Sequence, residues 1–255
     1  MKHRSKLFIL SSYFILALLA FSNTAAAQKN KIEKITKFIK KKRINAAYVM
    51  FGVSRLNMTQ LNSYLESSDL PEVDEYYFSY GLGGHVIHNK FVVGLEIVRT
   101  FEKHSLETDG FRTSTRSKYG VLNFGYLLRS KKGLMHYPYL GVGIGKLVLR
   151  TTENNIKSFD DITGYQKGSE SSTTNFLLNL GFGVDYFYKY NEKKKGQNNL
   201  VIGIRIGWIF SPVRNDWRVN HIRVPDGPDS GISGPYLRFT IGLGGWIEKL
   251  IKKAI

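Results

Sequence analysis

The stretch NNLVIGIRIGWIF, residues 198–210, changes character at every second residue. Its apolar face carries Ile202, Ile204, Ile206, Trp208 and Phe210. The opposite face has Val201 and Ile209 at its ends and two glycines, Gly203 and Gly207, on either side of a single arginine, Arg205. A period of two predicts a β-strand whose two faces lie in different environments. Because a strand with one face in water more often carries Lys, Glu and Thr on that face, this stretch does not fit an ordinary soluble sheet.

The same period of two recurs in about eight segments of the chain. They span residues 44–56, 75–88, 91–104, 113–129, 136–150, 173–189, 200–211 and 234–245. Each segment is at least about twice as long as the five or six residues of a typical strand. Aromatic residues make up 13% of the 255 residues, and 25 glycines accompany only 6 prolines. This composition favours one large all-β domain over a disordered chain.

The connections between these segments alternate in length. Residues 88–90, 130–133 and 191–199 form short links, whereas 57–74, 151–172 and 212–233 are long and polar, and 105–112 is intermediate. Short turns at one end and long loops at the other are typical of outer-membrane barrels. The sequence therefore predicts an all-β fold, an up-and-down antiparallel transmembrane β-barrel of about eight strands over residues 44–245.

Glycines collect on the faces opposite the apolar ones, which fits a barrel with lipid outside. A barrel of about eight strands has an interior just wide enough for side chains, so glycine makes room for the few large polar ones. Aromatic residues at both ends of the apolar faces are predicted to form interfacial girdles: Tyr76, Tyr80 and Trp208 near the long loops, Tyr126, Tyr186 and Tyr188 near the short turns, and Trp246 after the last strand. The alternative is a secreted soluble lipid-binding barrel with its apolar belt turned inward.

Both ends of the chain carry segments outside the barrel. Residues 1–27 combine a basic start, an apolar run and a small-residue end, Ala25-Ala26-Ala27, and predict a cleaved signal peptide. Residues 28–43 form a basic amphipathic segment, and residues 246–255 a C-terminal amphipathic helix. Because both segments adjoin the short-turn end of the barrel, we expect both termini in the periplasm and the barrel in the cell outer membrane.

Three segments carry a resemblance to a known type of protein. AAYVMFGVSRLNMTQLN (46–62), which follows a signal ending in AAAQ, the hairpin GLGGHVIHNKFVVGLEI (81–97) and the final GPYLRFTIGLGGW (234–246) resemble small bacterial outer-membrane β-barrel proteins of the OmpX/PorT-like type. The resemblance implies membrane insertion by the barrel-assembly machinery and permits a role as an accessory of a secretion apparatus. This chain differs by continuing into residues 246–255 after the last strand.

The signal peptide and the segments at the short-turn end account for the whole of the formal net charge of +17, whereas the barrel and long loops together are close to neutral and slightly negative. The predicted periplasmic basic rim comprises Lys40, Lys41, Lys42, Arg43, Lys131, Lys132, Lys193, Lys194 and Lys195. Charge confined to one rim favours outer-membrane lipid or a periplasmic or membrane protein partner over nucleic acid. The alternative is that these lysines only solvate the turns.

No residue pattern predicts catalysis, a metal or a cofactor. The chain has no cysteine, and no metal-ligand, phosphate-loop or dinucleotide motif is present. His104 adjoins Ser105, and His221 shares a loop with Asp216, Ser230 and Ser233, at spacings typical of chance. A wide pore is also disfavoured, because about eight strands leave no aqueous channel. We expect a non-enzymatic anchor or interaction protein; the alternative is an outer-membrane lipid-modifying enzyme with these loop residues at the outer rim.

The inward charges predict a luminal network. A charge inside the barrel must be paired or hydrated, because burying it alone is costly. Centring the 191–199 turn on Lys195 places Asp185 directly opposite Arg205. Glu96 and Arg238 lie at similar depth, so we expect Glu96, Asp185, Arg205 and Arg238 to form a network that plugs the lumen, with Gly203 and Gly207 leaving space for the guanidinium. The alternative is that each ion is separately hydrated.

Overall fold

The computed structural model describes residues 43–105, 110–153, 168–188, 199–219, 222–225 and 227–246. The predicted signal peptide, the basic segment up to residue 42 and the C-terminal helix from residue 247 lie outside these residues. Within the described part of the chain, no helix is long and apolar enough to cross a membrane.

Eight long strands of the described residues close into one antiparallel barrel. They are β1 (Arg43–Arg55), β2 (Tyr76–His88), β3 (Phe91–Thr100), β5 (Phe111–Tyr126), β7 (Leu134–Glu153), β8 (Gly168–Tyr188), β9 (Asn199–Arg214) and β12 (Gly234–Trp246). Each strand pairs with the next of these in sequence, and β12 pairs with β1 from Ile44↔Trp246 to Ser54↔Tyr236. The predicted fold class, an up-and-down barrel of about eight strands, is confirmed.

Five shorter elements were not predicted as separate ones. They are a helix, α1 (Thr59–Ser67), and the strands β4 (Lys103–His104), β6 (Arg129–Lys131), β10 (Trp217–Val219) and β11 (Ile222–Val224). β4 lies inside the predicted segment 91–104, which the structure divides after Thr100. The four strands have two or three residues each, too few for a period of two to be recognised. The strands β7 and β8 also begin or end several residues beyond the predicted ranges, because their polar ends pair without an apolar face.

The apolar faces of the strands point outward. Among the outward residues Phe78, Leu140 and Ile144 are 72%, 65% and 68% exposed, and the predicted interfacial residues Tyr76, Tyr80, Tyr126, Tyr186, Tyr188 and Trp208 are exposed as well. The side chain of Trp246 lies outside the described ones. A continuous apolar surface of this size is stable in hydrocarbon rather than in water. The alternative of a soluble barrel with the belt turned inward is therefore wrong.

The two ends of the barrel differ. At the short-turn end, β2 and β3 are joined by Asn89 and Lys90, with Asn89 in the left-handed region at φ 59°. At the long-loop end, β7 and β8 pair as far as Thr152↔Gly168. There β10 adds to β8 and β11 adds to β10, so the sheet continues above the belt.

Candidate functional site

The lumen contains the four charged residues predicted to meet there. Arg205 donates two hydrogen bonds to Asp185, from Nη1 to Oδ1 at 2.8 Å and from Nη2 to Oδ2 at 3.0 Å. Glu96 lies 3.9 Å from Arg205 Nε through Oε1 and 3.5 Å from Arg238 Nη1 through Oε2. All four side chains are at most 2% exposed. The structure thus brings two cations and two carboxylates together in a formally neutral cluster, the luminal charge cluster.

The predicted register between β8 and β9 is wrong by two residues. Asp185 lies opposite Gly203, and Arg205 lies opposite Gly183. A shift of two residues leaves both side chains facing inward, because side chains alternate with a period of two. The long arginine side chain then reaches its carboxylate diagonally, over a separation of about 7–8 Å between such neighbours.

The glycines make room for other groups than predicted. A Cβ atom on Gly203 would collide with Asp185 Oδ1, and one on Gly207 would lie 2.5 Å from the hydroxyl of Tyr236. Gly203 therefore accommodates the carboxylate, rather than the guanidinium, of the ion pair. Gly207 accommodates a tyrosine that the sequence analysis did not consider.

Tyrosines surround both guanidinium groups, and the sequence analysis missed most of them. Arg205 Cζ lies 5.2 Å from the ring centre of Tyr48 and 5.3 Å from that of Tyr137. Arg238 Cζ lies 3.8 Å from the ring of Tyr236, and its Nη2 donates to the hydroxyl of Tyr119. These distances are in the range of cation–π attraction. The signal that could have identified these tyrosines is their position on the glycine-rich inward faces.

The tyrosine hydroxyls also satisfy the carboxylates. Tyr137 donates to Asp185 Oδ2 at 2.6 Å, and Tyr48 donates to Glu96 Oε1 at 3.3 Å. His85 Nε2 lies 3.6 Å from Asp185 Oδ2. Hydrogen bonds to a buried carboxylate offset part of the cost of removing it from water.

Glu96 has a distinct position in the luminal charge cluster. Arg238 and Arg205 are directly opposite each other on β12 and β9. Like charges in this position destabilise a strand pair. Glu96 comes from β3, beyond β1 and β2 in the ring of strands, and directs one oxygen to each arginine. Its carboxylate therefore bridges two cations that would otherwise repel each other.

A second polar layer adjoins the luminal charge cluster. The hydroxyls of Tyr139 and Tyr236 are 2.9 Å apart, and Tyr236 donates to Asn179 Oδ1 at 2.8 Å. Asn179 Nδ2 donates to Asn123 Oδ1 at 2.8 Å. The layer links four strands across the lumen: β5, β7, β8 and β12.

An apolar cap closes the lumen at the long-loop end. In α1 the inward residues Leu61 and Leu65, one helical turn apart, are 1% exposed. The side chain of Asn62 exchanges two hydrogen bonds with the backbone of Val73, at 2.8 and 3.0 Å, and so fixes the helix to the returning loop. Ile232, in the last loop, is also buried, and its Cδ1 would lie 2.5 Å from a Cβ on Gly145.

A small cavity lies beside the luminal charge cluster. A cavity of about 10 Å³ is lined by residues that include Tyr48, His85, Glu96, Tyr137 and Arg205. About one water molecule needs a volume of this size. Because Arg205 and Asp185 are hydrogen-bonded to each other directly, they are not separately hydrated as in the alternative.

The remaining predicted residues are brought together only in part. Lys131 and Lys132 are exposed in the connection between β5 and β7, with Lys132 at φ 50°. Of the other residues of the predicted basic rim, Lys40, Lys41, Lys42, Lys193, Lys194 and Lys195, and the side chain of Arg43, lie outside the described parts.

Three of the loop residues considered for catalysis have other contacts, whereas the buried hydroxyl of Ser230 has no hydrogen-bond partner among the described residues. Ser105 Oγ accepts a hydrogen bond from the Thr113 N–H at 3.0 Å, and Ser233 Oγ donates to Ile209 O at 3.2 Å. Asp216 is paired with Arg223. His221 lies outside the described residues. Among the described residues, no group of three or more His, Asp or Glu side chains could hold a metal ion.

The ion pair of Asp185 and Arg205 predicts strong coupling between them. Asp185→Asn and Arg205→Gln should each lower the free energy of unfolding by about 3–5 kcal/mol, because each leaves an uncompensated buried charge. The double variant should lose much less than the sum of the two. Urea unfolding in detergent measures all three. The pair Arg55–Glu75, also 2.8 Å apart but exposed, is the control, and Glu75→Gln should cost about 0–1 kcal/mol. Additive losses for Asp185 and Arg205 would contradict the pairing.

The bridging position of Glu96 predicts a rescue. Glu96→Gln should destabilise the barrel, because Arg205 and Arg238 then oppose each other with one carboxylate fewer between them. Adding Arg238→Gln should recover part of the loss, since it restores a neutral cluster. The same urea titration measures both variants. A double variant no more stable than Glu96→Gln alone would show that repulsion between the arginines is not what Glu96 relieves.

Comparison with known proteins gives similarity only to solved structures. No protein-family model matches the sequence, and no curated protein sequence matches it either. The chain is similar to Ail, the attachment invasion locus protein of Yersinia pestis, at 16% identity over 80% of this chain and 97% of Ail, with a TM-score of 0.39. It is similar to Neisserial surface protein A at 14% identity, over 80% and 95% of the two chains, with a TM-score of 0.33. It is also similar to the outer-membrane protease OmpT from Escherichia coli at 8% identity, over 82% and 98%, with a TM-score of 0.38.

Proposed function

We propose that this protein is a non-enzymatic outer-membrane β-barrel with a closed lumen, which serves as a membrane anchor and interaction protein. The observation that carries the proposal is the combination of an outward apolar belt with a filled interior. On β8 the outward residues from Phe176 to Tyr186 span about 33 Å of strand. At a typical strand tilt this corresponds to about 25 Å of height, the thickness of the apolar band of outer-membrane barrels.

The filled lumen supports an anchor rather than a pore. The apolar cap, the layer of Tyr139, Tyr236 and Asn179, and the luminal charge cluster follow one another along the barrel axis. An ion crossing the barrel would have to displace all three. Because the cluster is formally neutral, it also presents no net charge that would attract a transported ion.

The sheet above the belt supports an interaction role. Beyond the barrel wall, β10 and β11 extend the sheet beside the β7–β8 hairpin, and β11 is the last strand in the order of the described sheet. Ile222 on β11 is 72% exposed, and Arg218 and Arg223 lie next to each other across β10 and β11. A short edge strand with an exposed apolar residue is suited to contact with another protein chain.

The basic rim at the short-turn end is the second proposed contact. Under this proposal the short turns and both termini face the periplasm. Lysines concentrated there attract an acidic protein surface or anionic headgroups. An accessory role in a secretion apparatus, which the resemblance to PorT-like proteins permits, would use this rim.

Two equally exposed apolar residues test the membrane location. Leu140 lies in the middle of the belt at 65% exposure, and Ile222 lies above the belt at 72%. Leu140→Arg should lower the free energy of unfolding in phospholipid vesicles by about 2–4 kcal/mol, because the charge enters hydrocarbon. Ile222→Arg should change it by no more than about 0.5 kcal/mol, as expected for a surface position in water.

Fractionation completes that test. The unaltered protein should separate with outer membranes and change its mobility on gels when boiled. Equal effects of the two arginine substitutions, or recovery of the protein in a soluble fraction, would overturn the proposal.

Neutralising the basic rim tests the proposed partner. Replacing Lys40, Lys41, Lys42, Lys193, Lys194 and Lys195 with Gln should remove cross-links to periplasmic or membrane proteins in native membranes, because the attraction is electrostatic. The barrel should remain folded, as judged by its mobility on unboiled gels. Unchanged cross-links would show that the lysines only solvate the turns. A change in membrane lipid chemistry that depends on His221 would instead support the enzymatic alternative.

A further inference from the structure

A row of like charges crosses the outer wall of the barrel just above the belt. Arg99 on β3 lies directly opposite Lys118 on β5, and Lys118 lies directly opposite Lys146 on β7. All three belong to the outward faces of their strands. Like charges directly opposite in a sheet destabilise it, so three cations in one row carry a cost that an anion would remove. We refer to these residues as the cationic row.

The carboxylates nearby do not neutralise the cationic row. Among the described residues, Arg99, Lys118 and Lys146 have no carboxylate within 4 Å. Glu170 lies 2.9 Å from Arg150 and 3.6 Å from Arg116, and Glu102 lies 3.9 Å from Arg116. Within 4 Å the two glutamates contact Arg116 and Arg150, and Glu170 acts on Lys146 only at longer range.

The cationic row borders a cavity of about 160 Å³ on the outer wall. The cavity is lined by Arg99, Arg116, Ser117, Lys118, Lys146, Val148 and Glu170. Four of its lining residues are cations and one is an acid. Its size and charge are suited to a phosphate group, which accepts hydrogen bonds on several oxygens.

A notch in the belt lies directly below the cationic row. The next outward position on each of the three strands is two residues closer to the short-turn end. There Ile97 lies opposite Gly120, and Gly120 lies opposite Ile144. Ile97 and Ile144 are 59% and 68% exposed. A Cβ atom on Gly120 would meet only Glu96 O, at 3.8 Å, so the position between the two isoleucines is open. The wall thus has a slot the width of one side chain that leads from the cationic row into the belt.

We propose that the cationic row binds the phosphate group of a membrane lipid whose acyl chain lies in the slot at Gly120. The site has positive charge above and an apolar slot below. A phosphorylated lipid has its groups in the same order, with the phosphate above the acyl chain. A free phosphate would use the row but not the slot. This inference rests on the proposed function, because it requires the belt to lie in lipid.

Lipid binding to the purified full chain in a neutral detergent tests the proposal. The probes are bisphosphorylated lipid A, the same lipid with its phosphates removed, and inorganic phosphate. Native mass spectrometry should show one retained molecule of the phosphorylated lipid. The triple variant Arg99→Gln, Lys118→Gln and Lys146→Gln should bind it at least about tenfold more weakly, since charge-assisted hydrogen bonds are lost. Gly120→Leu, which fills the slot and leaves every charge, should also weaken binding.

The matched control removes exposed cations that already have a carboxylate partner. Arg55→Gln and Lys103→Gln together, which lose the pairs with Glu75 and Asp74, should leave lipid binding unchanged. Equal retention of the phosphate-free lipid, or equal losses in the cationic-row variant and this control, would overturn the proposal. Competition by inorganic phosphate together with normal binding by Gly120→Leu would overturn it in favour of a free anion. Lipid binding is measured in detergent, so it can be absent from a protein that still fractionates with the outer membrane. The lipid site and the membrane location are therefore tested separately.

Discussion

The pairing of β1 with β12 is the constraint on which the rest of the structure depends. An apolar outer surface places the backbone of every strand in an environment where an unpaired N–H or C=O costs several kcal/mol. Pairing from Ile44↔Trp246 to Ser54↔Tyr236 removes the two edges that an open sheet would leave. Closure at eight strands then fixes the diameter, and the diameter allows side chains but no channel inside. The filling of the lumen is therefore a consequence of closure.

A filled lumen of this width must also be electrically balanced. Arg205 and Arg238 are directly opposite each other, and Asp185 and Glu96 supply the equal negative charge. Outside, among the described residues, no carboxylate lies within 4 Å of the cationic row. The difference has a physical cause, since a luminal ion has only protein around it, whereas an ion on the outer wall can draw on the membrane for its partner. The ions of the luminal charge cluster thus neutralise one another, whereas the cations of the cationic row need an anion from outside the protein.

The sequence predicts the fold well because a period of two repeats over eight long segments, and each repetition is independent evidence for the same barrel. It also identifies the four ions of the luminal charge cluster, because a charge among glycines on an inward face has few other interpretations. Register is harder to predict. A shift of two residues preserves every face, so the alternation that located Asp185 and Arg205 could not decide whether Asp185 faces Arg205 or Gly203.

The residues missed by sequence analysis share a different reason. Tyr137 and Tyr119 become significant only through strands that are distant in sequence, and α1 is held by contacts of Leu61, Leu65 and Asn62 rather than by a helical cap. Sequence analysis did not identify the cationic row, because Arg99 and Lys146 are nearly 50 residues apart and Lys118 lies between them. The net charge of the barrel and long loops, in which they lie, is also close to zero. Only the pairing of β3, β5 and β7 places them side by side.

The luminal charge cluster contributes to specificity more clearly than to stability. Apolar residues of similar volume often stabilise a protein as well as a buried ion pair does, so the pair alone does not explain why charge is present. If both faces of β9 and β12 were apolar, a slip of one residue would exchange them at little cost. With Arg205 and Arg238 inside, such a slip would move a guanidinium into hydrocarbon, at a cost of about 2–4 kcal/mol for each. A slip of two residues keeps the arginines inside, and in one direction it even places Asp185 directly opposite Arg205. In either direction it replaces Gly203 beside the Asp185 carboxylate with the bulkier Val201 or Arg205. The ions therefore penalise a slip of one residue, and the glycines beside them penalise a slip of two.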